Sequence, residues 1–195
     1  MIEYLADRIA DYFVKEELIL AEDRSIYKYG SEVSISTILG ISLILLIGLI
    51  SGQVFGSILF LLCFIPLRVY TGGYHADTYL KCNLSFCAVF IIYLVIKNNI
   101  PPHMEFFANI IFIAVSLITI FVLAPIENKH KPFHGKEKLR YRKISIIVSV
   151  ILSVLSIVAY AIDIKIYIAI SLTMVSIAIL MVVEKIKVKW EKKGD

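Results

Sequence analysis

Six apolar runs, at residues 33–50, 54–69, 80–96, 106–123, 144–162 and 166–183, decide what this chain can fold into. A bilayer core of about 30 Å takes roughly 20 apolar helical residues, and lipid offers no other partner for backbone N–H and C=O groups. The runs predict an all-α, polytopic membrane protein of about six transmembrane helices with an N-terminal amphipathic helix. Composition agrees: the 195 residues are 59% hydrophobic and 18% charged, where a soluble domain is nearer half and about a quarter. A single membrane domain over 1–195 is expected. It comprises an amphipathic N-terminal segment (1–30), a six-span bundle (33–183) and a basic cytoplasmic tail (184–195).

The first two runs are separated only by Ser51-Gly52-Gln53 and are together too long for one span, so a tight hairpin joins them. Gly48, Gly52 and Gly56 recur there every four residues. They either let two backbones approach closely or serve as turn glycines. The start of the chain is acidic, with seven acids against four bases in residues 1–28, and its longest apolar stretch is too short for a signal sequence. Leu5, Ile9, Tyr12 and Phe13, then Leu18 and Ile19, fall near helical spacing. They predict an amphipathic helix on the membrane surface or against the bundle. Its acidity favours a basic part of the protein over anionic lipid.

Positive charge sets the orientation. With the N-terminus inside, every Lys and Arg except Lys97 and Lys165 falls in the N-terminal segment, the 68–81 loop, the 127–143 loop or the C-terminal segment. The positive-inside rule makes those segments cytoplasmic. The bases sit beside apolar spans, which argues against a nucleic-acid partner and for membrane lipid.

The chemistry clusters in the polar gap after the second run, Arg68-Val69-Tyr70-Thr71-Gly72-Gly73-Tyr74-His75-Ala76-Asp77-Thr78-Tyr79-Leu80-Lys81-Cys82. Cysteine attacks as the thiolate, and a nearby imidazole is the usual means of making one. On one continuous helix His75 and Cys82 would share a face about 10.5 Å apart along the axis, beyond hydrogen-bond reach. The pair works only if the helix begins between them, with Asp77 or Thr78 as N-cap and Gly72-Gly73 letting the loop fold back. The backbone N–H of Asn83 or the Arg68 guanidinium is then placed to stabilise an oxyanion. Against this, a membrane cysteine is usually a small apolar filler, which is the reading for Cys63 and Cys87. The three cysteines show neither a disulfide framework nor a zinc spacing.

The 127–143 loop carries seven bases. Most are what a cytoplasmic loop beside anionic lipid requires. Lys129 and Lys131, nearest the span, are candidates for holding an acidic segment of a peptide. His130 and His134 are four apart, but no Cys or carboxylate completes a metal site and Pro132 interrupts a helix between them, so no metal is expected. His103 reads as a surface residue. Lys185-Ile186-Lys187-Val188-Lys189-Trp190 reads as an interfacial anchor.

Arg68, Gly73, His75 and Cys82, in this order after a second span, resemble the bacterial accessory gene regulator B family, and the resemblance extends over most of the chain. It implies a multi-pass protein of the bacterial cell membrane with its termini and active site cytoplasmic. The implied activity is that of a cysteine endopeptidase which cleaves a quorum-sensing precursor peptide (AgrD-like). Cleavage passes through an acyl-enzyme thioester and promotes cyclisation to a thiolactone. The resemblance makes Cys82 the nucleophile and His75 the base, with Arg68 and Gly73 needed for activity and Lys129 and Lys131 in a lysine-rich loop that His130 interrupts. It implies a homodimer and no cofactor. Asp77 and Glu127 are candidates for a third catalytic group. The rival reading is a small transporter or exporter of a peptide. Transporters show ionisable residues or broken helices within their spans, whereas here the polar chemistry gathers on one face. A non-catalytic scaffold would leave the Arg, Gly, His and Cys arrangement unexplained.

Overall fold

The helical spacing near the start produces α1 (Ile2–Lys15). The structure, a computed structural model, describes residues 1–73, 78–126 and 136–194, with side chains through Trp190. Ala6 and Ala10, one turn apart, are fully buried, and their small side chains let α1 lie close against α2 (Arg24–Ile50). Asp7 pairs with Arg24 at 3.2 Å and Lys28 at 2.9 Å, and Arg24 Nε donates to Asp11 at 2.7 Å. The acidic helix therefore meets bases of its own chain. This is the packing against a basic part of the protein that its acidity favoured, and Phe13 adds a ring contact with Tyr27 of α2. Leu5, Ile9 and Tyr12 remain a third or more exposed, since the alanines and aspartates face α2. Residues 24–30, expected in the N-terminal segment, already belong to α2.

Six helices are long and apolar enough to cross a membrane, which fits a multi-pass membrane protein. They are α2, α3 (Val54–Thr71), α4 (Tyr79–Asn99), α5 (Glu105–Leu123), α6 (Glu137–Ala161) and α7 (Tyr167–Gly194), and they overlie the six apolar runs. No strand occurs among the described residues. Direction alternates from span to span. The C-terminal ends of α3, α5 and α7 therefore lie at the same end of the bundle as the N-terminal ends of α2, α4 and α6. Tyr79 Oη donates to Glu32 Oε2 at 2.8 Å, and the Tyr70 and Tyr141 rings lie 5.6 Å apart at that end.

The last helix is the central one. α7 packs on α3, α4, α5 and α6, and 67% of its apolar stretch is buried, against 44% or less for the others. Phe60 and Phe64 of α3 interlock with Phe86, Phe90 and Tyr93 of α4, with ring centroids 5.0–6.0 Å apart. α2 closes on its neighbours through Ser36, Gly40, Ile44 and Gly48, a stripe at i+4 spacing. A Cβ on Gly48 would lie 2.6 Å from Ser57 Cβ, so the missing side chain sets how near α2 and α3 approach. Gly52, at φ +66°, makes the turn. Both readings of the glycine series thus hold, at different positions. Residues 184–194 continue α7 instead of forming a separate tail, and Glu184 is only 3% exposed.

Candidate functional site at one end of the bundle

The end of α3 is held by its own side chains. Thr71, fully buried, points its hydroxyl at the carbonyls of Leu67 (2.9 Å) and Gly72 (3.1 Å). Arg68 folds back so that Nη1 donates to the same Gly72 carbonyl at 2.5 Å. Gly72 and Gly73 then take φ of +71° and +128°, in the half of backbone space that favours glycine. A Cβ at Gly72 would meet the Ile126 carbonyl oxygen at 2.5 Å, and one at Gly73 would fall on the Arg68 guanidinium. The Ile126 N–H donates to the Thr71 carbonyl at 2.9 Å, which ties the chain leaving α5 to the end of α3.

α4 begins between His75 and Cys82, the condition their spacing imposed. Thr78 is the N-cap, in extended backbone, and its Oγ1 accepts from the Lys81 N–H at 3.3 Å. The Cys82 N–H donates to the Thr78 carbonyl at 3.0 Å, so the half-buried thiol stands at the fourth helical position. The N–H groups of Tyr79 and Leu80 are among those a helix start leaves without intrahelical partners. Arg68 interacts electrostatically with both Cys82 and Glu184. Residues from α3, α4 and α7, far apart in sequence, thereby meet at one corner.

Asn83 stands differently from expectation. At the fifth position of α4 its N–H belongs to the helical ladder. Its side chain is buried toward α2, with Nδ2 donating to Ser36 Oγ at 3.2 Å and Oδ1 facing Gly40. Asn83 therefore packs α4 on α2. Cys63 is in the apolar core with Phe60, Phe64 and Leu67, and Cys87 lies partly buried further along α4. His75 and Asp77, in 74–77, lie outside the described residues. So do Glu127, Lys129, His130, Lys131 and His134, in 127–135.

Sequence reading missed Thr71 and Glu184. Thr71 carried no signal, being one polar residue in a polar gap. Glu184 did carry one. It is the carboxylate that directly adjoins the last apolar run, and an ionisable residue at such a place needs a partner. Chemically, a cysteine attacks as its thiolate, and a cation is the kind of neighbour that favours this form. The Arg68 guanidinium, planar and permanently charged, can take an oxyanion.

Comparison with known proteins shows the family. The family model described as Accessory gene regulator B matches residues 6–182. A protein of Clostridium perfringens (strain 13 / Type A), named AgrB-like protein 2 by inference, is 30% identical over 173 residues, covering 82% of this chain and 79% of its own. A second, from Clostridium perfringens (strain SM101 / Type A), is 29% identical over the same shares. An AgrB-like protein of Listeria innocua, also named by inference, is 25% identical and covers 68% of this chain and 65% of its own. No solved structure matches the chain.

Proposed function

This chain belongs to the accessory gene regulator B family, and from that premise we propose that it is a membrane cysteine endopeptidase acting on a signal-peptide precursor. The observation that carries the reading is that Cys82, at the fourth position of α4, lies within electrostatic reach of the Arg68 guanidinium from α3. His75, seven residues before Cys82, takes its proton. The thiolate attacks a peptide carbonyl, and the oxyanion that forms is stabilised by Arg68 and by the N–H groups at the start of α4. The C–N bond breaks, His75 returns its proton to the departing amine, and the acyl group remains on Cys82 as a thioester.

A cysteine thiol within the same peptide then attacks that carbonyl. It displaces the Cys82 thiolate, which recovers a proton, and closes a thiolactone ring. One thioester replaces another at nearly equal energy, whereas hydrolysis is strongly downhill. A site at the membrane interface that excludes water favours the first route. Holding both ends of the peptide supplies the effective concentration for closure. Lys129 and Lys131 hold an acidic segment of the peptide. The corner faces the cytoplasm, where thiols stay reduced, and the distribution of Lys and Arg supports that placement. The working unit is a homodimer.

The test is reconstitution of the purified protein in liposomes with a peptide carrying an internal cysteine and an acidic C-terminal tail. Mass spectrometry is expected to find a peptide acyl adduct on Cys82 and a released tail. Processing that persists in Cys82→Ala overturns the reading.

A further inference from the structure

Arg68 is a guanidinium near the end of an otherwise apolar helix, and two facts place it against α7. The position a Gly73 Cβ would take touches Arg68 Nη1 on one side and lies 3.6 Å from the Leu180 backbone carbon on the other. Glu184 stands one turn beyond Leu180, on the same face of α7, and is 3% exposed. A carboxylate this deeply buried requires a charged or hydrogen-bonding partner, and Arg68 interacts electrostatically with it as well as with Cys82. A guanidinium has five donors in a rigid fork. Nη1 donates to the Gly72 carbonyl, and the fork geometry allows one guanidinium to serve several acceptors at once.

We propose that Glu184 is a positioning residue that holds Arg68 between α7 and α4 so that the guanidinium faces the Cys82 thiol. The inference rests on the reading of Cys82 as nucleophile and extends it to a helix that reading does not use. Without the carboxylate, the long Arg68 stem loses its charged anchor on α7. The guanidinium then turns away from Cys82 about its Gly72 contact, and Cys82 loses part of its cationic neighbour. Glu184 acts only through Arg68. Its removal therefore affects the thiol when Arg68 is present and not when Arg68 is absent.

The experiment is a double-mutant cycle read by Cys82 alkylation with iodoacetamide at fixed neutral pH, in proteoliposomes of the full chain with Cys63 and Cys87 replaced by serine. This readout does not require peptidase activity. Glu184→Ala is expected to slow alkylation about tenfold, the effect of moving a thiol by roughly one pKa unit. Glu184→Gln keeps a carbonyl facing the guanidinium and is expected to fall between the two. In an Arg68→Gln background the same changes are expected to alter the rate by less than about twofold, because residues that act as one unit are non-additive. An equal slowing in both backgrounds overturns the proposal by showing a general structural role. Faster alkylation in Glu184→Ala overturns it too, since Glu184 would then be competing with the thiolate for Arg68. Should Glu184→Ala fail to insert, the Gln variant alone completes the cycle. Peptide cleavage that survives Cys82→Ala while the alkylation cycle remains non-additive refutes the nucleophile assignment and leaves the Glu184–Arg68 coupling intact.

Discussion

Gly73 lies where the Arg68 guanidinium leaves no room for a side chain, at a backbone φ of +128°. Two independent penalties meet in that residue, one steric and one conformational. Gly73→Ala is expected to cost about 1–3 kcal/mol from the backbone alone and to push Arg68 off the Gly72 carbonyl. Peptide cleavage should fall at least tenfold while the protein still inserts and purifies as a folded helical bundle. Cleavage rate and circular dichroism, measured on the same preparation, check both halves.

The three cysteines separate cleanly by position. Cys82→Ser and His75→Ala are each expected to abolish cleavage of a reconstituted precursor peptide. Cys63→Ser and Cys87→Ser are expected to retain it, because Cys63 fills the core and Cys87 lies further along α4. Cys63→Ser places a hydroxyl in an apolar surround, with a stability cost of about 1–3 kcal/mol. Thermal unfolding in detergent and mass-spectrometric detection of the released tail distinguish the two kinds of loss.

Orientation is open to direct measurement. A membrane-impermeant maleimide is expected to label Cys82 in inside-out vesicles, and to leave it unlabelled in right-side-out vesicles until the membrane is permeabilised. The Cys63→Ser, Cys87→Ser background makes the signal specific. Labelling from the external side in sealed right-side-out vesicles contradicts a cytoplasmic active site.

The attachment of α1 is expected to depend on acid. The hydrogen bond from Lys28 holds the Asp7 carboxyl below its usual range; burial opposes this, and the Lys28 charge and the Arg24 contact add to it. A carboxyl lowered in the folded state contributes stability that is fully present above its unfolded value, near 3.9. That contribution is lost as pH falls through the lower folded value. The protection of the α1 amides, taken relative to their intrinsic exchange rate at each pH, should therefore be unchanged from pH 7 down to about 5, and should fall below the ordinary carboxylate range. Asp7→Asn should show faster exchange in α1 already at neutral pH and should flatten the acid dependence.

The parts legible in the sequence are those that lipid imposes. Each apolar run became a helix because a bilayer permits little else. The start of α4 between His75 and Cys82 followed from the reach of a hydrogen bond. Gly72 and Gly73 were singled out for the freedom they give the loop, and both take positive φ; that the Arg68 side chain folds back onto Gly73 could not be read from the sequence. Hydropathy reports compatibility with lipid and is blind to which neighbours a helix will have. It could not show that α7 is the centre, or that Glu184, beside a row of lysines, is turned inward. Asn83 was misjudged for a related reason. Its place after Cys82 suggested a role for its N–H, but the helix had already taken that group, and the amide side chain was drawn to Ser36 by the glycine gap in α2. In α1 the apolar side was read correctly as apolar, yet alanine size and aspartate charge decided which side docks.

The central place of α7 bears on how the molecule is made. A ribosome delivers α7 after the other five spans, so those five wait in the membrane around a gap. The corner holding Cys82 stays incomplete until Glu184 emerges, and a nascent chain carries its thiol without the carboxylate that belongs beside Arg68. Assembly of that corner is thereby deferred until α7 has entered among the spans that precede it.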